Sequence, residues 1–177
     1  MADFKKQVAD ILPKIDFETT TYEVKFETSM GDVTLELYPD VAPGHCKNII
    51  ALVKSGFYDN LTFHRIIKGF MIQGGCPEGT GVGGPGYTID AEFNSIKHEA
   101  GVLSMARTMD PNSAGSQFFL CLETVPHLDN QYTVFGKAKD EASVNVIKSI
   151  GEVSTGFQDK PHEDVLIKKA EVIETAK

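Results

Sequence analysis

The sequence predicts a mainly β domain, a barrel or a sandwich, on three observations. Short runs of apolar residues alternate with polar ones at a period of two. Turn residues break these runs at close intervals. Only two or three segments carry helical spacing, and they do not alternate regularly with the strands, which argues against a parallel βα sheet. At 177 residues the chain is one ordinary domain, long enough to bury a sizeable core.

Phe4, Val8, Ile11, Leu12 and Ile15 predict a short amphipathic helix that Pro13 ends or kinks. Residues 1–19 read as an arm docked on a single domain, 20–177, with no interdomain linker. Tyr22, Val24 and Phe26, then Val33, Leu35 and Leu37, alternate with polar residues on either side of Ser29-Met30-Gly31. This is a β-hairpin with one buried face. Pro43 opens a helix with Ile49, Leu52 and Val53 on its apolar face, and Lys54 and Gly56 suit its end. Leu61–Ile67 and Met71–Gln73 read as strands, and the glycine- and proline-rich stretch 74–86 as a long loop. Ser116–Leu122 and Tyr132–Ala138 read as further strands. A second helix is expected near 141–150, with Val144, Ile147 and Ile150 facing in, before a closing strand at Val165–Ile173.

Composition narrows the function. The apolar fraction is 41% and the charged fraction 24%, ordinary globular values that exclude disorder and collagen-like repeats. A formal net charge of −8 is the wrong sign for non-specific nucleic-acid or anionic-membrane binding. Cys46, Cys76 and Cys121 are odd in number and widely spaced. That argues against a disulfide scaffold and a Cys-rich zinc site, and it fits a reducing compartment. No 18-residue apolar span occurs, and the N-terminus has no signal-peptide pattern, so a cytoplasmic location is expected.

Motifs for group-transfer chemistry are weak. Gly79-Thr80-Gly81-Val82-Gly83-Gly84 fits G-x-G-x-x-G, but Pro85-Gly86 and a strand-like segment follow where the phosphate-binding helix must start. It reads as a surface loop. His45, His64, His98, His127 and His162 show no metal-ligand spacing and read as exposed or hydrogen-bonded structural residues. Composition leaves a Ser-His-Asp hydrolase open, yet no G-x-S-x-G is present. Arg65 is different. In a strand it shares a face with Phe63 and Ile67, as either an ion-paired edge residue or a functional one.

The segment Phe63-His64-Arg65-Ile66-Ile67-Lys68-Gly69-Phe70-Met71-Ile72-Gln73-Gly74-Gly75 resembles the signature of the cyclophilins, a family of peptidyl-prolyl cis-trans isomerases. Ser104-Met105-Ala106-Arg107, Gly115-Ser116-Gln117-Phe118-Phe119, and Leu128-Asp129 with Val134-Phe135-Gly136 resemble further family blocks in the expected order. The resemblance covers about residues 20–175, and the glycine-rich loop is most similar to bacterial-type short forms. It implies an eight-stranded antiparallel closed barrel capped by two helices, with the N-terminal helical arm added. It also implies a substrate groove on the outside of the barrel. Carried over by position, the catalytic residues are Arg65 and Gln73. Substrate binding falls to Phe70, Met71, Ala106, Arg107, Gln117, Phe119, His127, Leu128 and Tyr132. Four departures stand out: Lys68 in place of a usual proline, a stretch 107–116 about one residue longer, His127 for Trp or Phe, and Tyr132 for His.

The implied activity is rotation about Xaa-Pro bonds in peptides and in unfolded or folded proteins, assisting folding. The alternative is a cyclophilin-like proline-binding module or chaperone with little catalysis. No bond breaks, so no cofactor or metal is expected. Rotation is opposed by amide resonance, so catalysis requires tighter binding of the twisted state than of either planar one. Arg65 is the candidate donor to the prolyl nitrogen, with Gln73 holding it. A monomer is expected, and His127 predicts weak cyclosporin binding.

Overall fold

Alternation at period two becomes ladders. The computed structural model describes residues 3–177, so the first two residues of the predicted arm lie outside the described residues. Strands β1 (Thr20–Thr28) and β2 (Gly31–Leu37) form the expected hairpin, in register from Glu23↔Glu36 to Thr28↔Gly31. Val24, Phe26, Val33 and Leu35 are fully buried. Seven more strands follow: β3 (Leu61–Thr62), β4 (Arg65–Ile67), β5 (Met71–Gly74), β6 (Val102–Met105), β7 (Phe118–Cys121), β8 (Val134–Ala138) and β9 (Leu166–Ala176). All pair antiparallel, in the order β3-β9-β1-β2-β8-β6-β7-β5-β4.

Two expectations need correcting. The sheet has nine described strands and a ladder open between β3 and β4, rather than eight strands in a closed ring. Its edges are consecutive pieces of one segment, because the predicted strand Leu61–Ile67 breaks at Phe63-His64. Phe63 turns inward, only 1% exposed, and donates its N–H to the Val165 carbonyl, so the two halves of the segment pair with different neighbours. Covalent continuity, not hydrogen bonding, therefore joins the edges of the curled sheet. Strand β6 was not predicted as a strand. All four of its residues are buried, so its Val-Leu-Ser-Met sequence need not show the alternation of a half-exposed strand.

Three α-helices are described, the two expected caps and the helix expected in the N-terminal arm. Helix α1 (Phe4–Ile11) is the N-terminal arm. Asp3 caps it, accepting from the Lys6 N–H, and Pro13 converts its end into a 3-10 turn at Leu12–Lys14. Val8 is buried, and the Phe4 ring meets Phe57 edge-on at 5.1 Å. Helix α2 (Pro43–Lys54) starts on its proline and buries Ile49, Ile50, Leu52 and Val53. Helix α3 (Glu141–Ile150) is capped by Asp140 and buries Ile147 and Ile150. No helix among the described residues is long and apolar enough to cross a membrane.

Two apolar clusters result from the pleat. Ile66, Ile72, Phe118 and Leu120 point into the main core with Phe26, Tyr58 and Phe63. Their strand neighbours Met71, Phe119 and Cys121 point the other way, into a smaller cluster with Val125, Leu128 and Val134. This outer cluster carries the candidate site.

Candidate active site

Register assembles the site. Arg65 pairs with Gln73, Gln73 with Phe119, and Phe119 with Ser104, one row crossing four strands on the outer face. At the end of the row Arg65 is exposed, and its Nη1 donates to Gln73 Oε1 at 3.4 Å. That is long for such a bond, so the guanidinium is oriented while most of its donors stay available.

Beside it lies a recess of about 140 Å³. Nine predicted residues line it: Arg65, Phe70, Met71, Gln73, Ala106, Arg107, Phe119, Leu128 and Tyr132. Met71, Phe119 and Leu128 are buried, and the Tyr132 ring meets Phe119 edge-on at 5.7 Å. Gln117 and His127 lie outside this lining. His127 packs against Phe70, ring centroids 5.8 Å apart. Gln117 lines a neighbouring groove and accepts from Gln73 Nε2 at 3.0 Å.

Gln117 extends the row into the glycine loop. Its Nε2 donates to the Gly81 and Gly83 carbonyls, at 3.0 and 2.9 Å. The N–H groups of the same two glycines donate to Cys76 Sγ, each at 3.3 Å. Burial pushes the Cys76 thiol up, but backbone N–H groups of Gly83, Thr80, Gly81 and Glu78 outweigh it and hold the thiol below its ordinary value. The glycine loop thus braces Gln117 instead of cradling a phosphate. Cys76 was not picked out by sequence reasoning. Its only signal was its place between Gly74-Gly75 and the loop it anchors.

Behind Phe119 sits a second group missed in the sequence. His98 stacks on Phe119, with centroids 6.1 Å apart and planes 12° apart. Its Nδ1 is 3.0 Å from Asp129 Oδ1 and its Nε2 2.9 Å from Ser104 Oγ. This is the order of a Ser-His-Asp triad, but Ser104 and His98 are fully buried and no substrate reaches the hydroxyl. The group props the recess wall. Burial lowers the pKa of His98 despite Asp129. The His98 backbone N–H, with the imidazole's help, holds the Asp129 carboxyl below its usual range.

Arg107 has little donor capacity to spare. Its Nε and Nη2 donate to the Gln131 carbonyl and its Nη1 to the Thr108 carbonyl. The guanidinium lies 4.6 Å from the Tyr132 ring centroid and 5.8 Å from that of Phe93, so it contributes a flat wall. Lys68 points to solvent, 2.9 Å from Glu152. Among the described residues no three His, Cys, Asp or Glu side chains converge as a metal site.

Comparison with known proteins bears on the family. The family model described as cyclophilin type peptidyl-prolyl cis-trans isomerase/CLD matches residues 23–172. A peptidyl-prolyl cis-trans isomerase of Synechococcus elongatus is 51% identical over 124 residues, 70% of this chain and 85% of that one. Peptidyl-prolyl cis-trans isomerase-like 1 of Gibberella zeae is 47% identical over 159 residues, 87% of this chain and 96% of that one. A crystal structure of a Cryptosporidium parvum cyclophilin type isomerase superposes with a TM-score of 0.81 at 37% identity, covering 87% of this chain and 98% of that one. A second crystal structure of that protein, in the presence of the dipeptide Ala-Pro, gives 0.77 at 39% identity, covering 84% and 96%. A family match over most of the chain and relatives near half identity lead to one conclusion: the chain belongs to the cyclophilin-type peptidyl-prolyl cis-trans isomerases.

Proposed function

We propose that the recess beside Arg65 is where this chain isomerises Xaa-Pro bonds, and that Arg65 is its catalytic residue. The observation that carries the reading is the row itself. A guanidinium held in register by Gln73 stands at the mouth of an apolar recess walled by Phe70, Met71, Phe119 and Leu128.

A planar Xaa-Pro amide shares its nitrogen lone pair with the carbonyl. Uncatalysed exchange takes tens to hundreds of seconds. As the bond twists, the lone pair localises on nitrogen and becomes an acceptor. A guanidinium N–H aimed there stabilises the twisted state and neither planar one, which is the condition for acceleration. The apolar walls grip the proline ring while the preceding carbonyl swings. Taking a rate of about 0.01 s⁻¹ to on the order of 10³ s⁻¹ requires roughly 7 kcal/mol. One charge-assisted donor, ring anchoring and desolvation supply contributions of that order. Gln73 fixes the guanidinium, Gln117 fixes Gln73, and Arg107 acts as a wall.

We read assistance to folding proteins as the use of this activity, since Xaa-Pro exchange limits many refolding reactions. The test is addition of an Ala-Pro peptide to isotope-labelled protein, with peptide exchange and protein shifts followed in one sample. Acceleration with shifts centred on Phe70, Gln73 and Phe119 supports the reading. Acceleration with shifts elsewhere overturns the assignment of the recess.

A further inference from the structure

The chain carries 17 basic residues, and only Arg65 and Arg107 are arginine. Both line the recess. Among the described residues no carboxylate lines it with them, and neither guanidinium forms an ion pair. Two carboxylates adjoin the site in sequence, and both are engaged elsewhere. Asp129, next to Leu128, accepts from the His98 backbone N–H and faces the His98 ring. Glu92, next to Phe93, accepts from the Gly44 and His45 backbone N–H groups. In a protein of formal net charge −8, the recess is a positive spot without a counter-charge of its own.

The two guanidiniums have different work. Arg65 is assigned to the prolyl nitrogen. Arg107 is fixed by what surrounds it. Its Cζ lies 4.6 Å from the Tyr132 ring centroid and 5.8 Å from that of Phe93, a phenylalanine left 43% exposed. Nε and Nη2 donate to the Gln131 carbonyl at 3.0 and 2.6 Å, and Nη1 to the Thr108 carbonyl at 2.9 Å. That leaves one N–H on each Nη. The charge is therefore held in place before any substrate arrives, and no rotamer freedom is lost when it is used. Its neighbour Ala106 is the smallest side chain of the lining, and both residues also line the adjoining groove. The recess opens there. The chain on one side of a bound proline leaves past Ala106 and Arg107, since Phe70, Met71 and Leu128 wall the recess.

We infer that Arg107, held by Phe93 and Tyr132, selects substrates in which a residue adjoining the proline carries a carboxylate. The inference rests on the reading of the recess as the Xaa-Pro site. The ring fills the apolar walls, and the adjoining residue at the opening meets a fixed positive charge beside a low-dielectric surface, where an anionic side chain is attracted most strongly. The side chain's charge is the same in the planar and twisted states. Arg107 therefore binds ground state and transition state alike, and the selectivity resides in KM rather than kcat. Phe93 touches no reacting atom and acts as a positioning residue for Arg107.

The test uses end-blocked tetrapeptides with the full chain, so that Glu is the only charge: Ala-Glu-Pro-Phe and Ala-Ala-Pro-Glu, each beside its Gln counterpart. NMR exchange gives kcat and KM, and titration in the same samples gives Kd. At one of the two positions Glu is expected to exceed Gln by about fivefold in kcat/KM at low salt, through KM, and the ratio shrinks at high salt. Arg107→Gln loses the preference, and Arg107→Lys, which keeps the charge, retains part of it. Each comparison is a ratio of two peptides on one protein, so a general loss of activity in a variant does not enter. The salt series on the unaltered protein stands even if a variant fails to fold. A preference that is absent at both positions, indifferent to salt, kept by a folded Arg107→Gln protein, or equally lost in a folded Arg107→Lys protein overturns the inference. Equal acceleration of Glu and Gln peptides overturns it while leaving the reading of the recess in place. Tighter Glu-peptide binding that needs Arg107, without turnover of any peptide, upholds the selectivity and removes the reading of the recess as the isomerase site.

Discussion

Arg65 and Gln73 face each other directly across the β4–β5 ladder, with the guanidinium Nη1 3.4 Å from the amide Oε1. The same amide donates through Nε2 to Gln117, 3.0 Å away. Gln73 is thus fixed at both ends, and its orientation sets that of Arg65.

Gln73→Ala is therefore expected to act through Arg65. Its kcat should fall about five- to tenfold, roughly 1 kcal/mol, the worth of one ordinary hydrogen bond. Peptide Kd should change less, because the apolar walls remain. Steady-state NMR exchange with a parallel titration checks this. A loss confined to Kd would assign Gln73 to peptide binding alone.

Cys76→Ala removes the acceptor for the Gly81 and Gly83 N–H groups, which are only part-buried, so the loss is that of ordinary hydrogen bonds, about 1 kcal/mol. Thermal unfolding should move down by several degrees, and activity should fall a few-fold as Gln117 loses its brace. Cys76→Ser keeps an acceptor and should recover much of both. Equal behaviour of the two variants would show that the sulfur's volume matters more than its lone pairs.

Burial holds three histidines, His45, His64 and His98, below the ordinary imidazole value. Their unfolded forms bind protons more readily, so folding is favoured above about pH 6.5 and loses ground as pH falls through that value. Asp129, also lowered, adds a further loss at more acidic pH. The urea midpoint should be lower at pH 5.5 than at pH 7.5, with the slope unchanged. A midpoint that holds or rises at pH 5.5 would contradict the neutral, buried state of these rings.

His127 packs on Phe70 outside the lining of the recess. We expect His127→Trp to tighten cyclosporin binding at least tenfold by adding apolar contact area. Isothermal titration of the two proteins checks this, and unchanged affinity would separate the inhibitor's footprint from position 127.

Legibility in the sequence followed burial geometry. The β1–β2 hairpin could be read because one of its faces is buried and the other wet, and helices α2 and α3 because Pro43, Lys54 and Gly151 mark their ends. Strand β6 could not, since it is buried on both faces and shows no alternation. The break at Phe63-His64 is a tertiary effect: Phe63 goes inward to the core, and no local pattern announces it. Arg65 stood out in its strand, but the other eight residues of the recess were legible only through the resemblance, because their convergence depends on register across four strands. His98 and Ser104 are six residues apart but Asp129 lies 31 residues from His98, and each is unremarkable alone, so their group emerges only on folding.

The most direct test compares cis–trans exchange of an Ala-Pro-Phe-type peptide with the unaltered protein and with Arg65→Ala, alongside a circular dichroism melt of each. Arg65 is exposed, so the variant should keep its fold. The account predicts strong acceleration by the unaltered protein and at least a tenfold loss of kcat/KM in the folded variant. Full activity in a folded Arg65→Ala protein would remove the guanidinium from the mechanism and contradict the central claim.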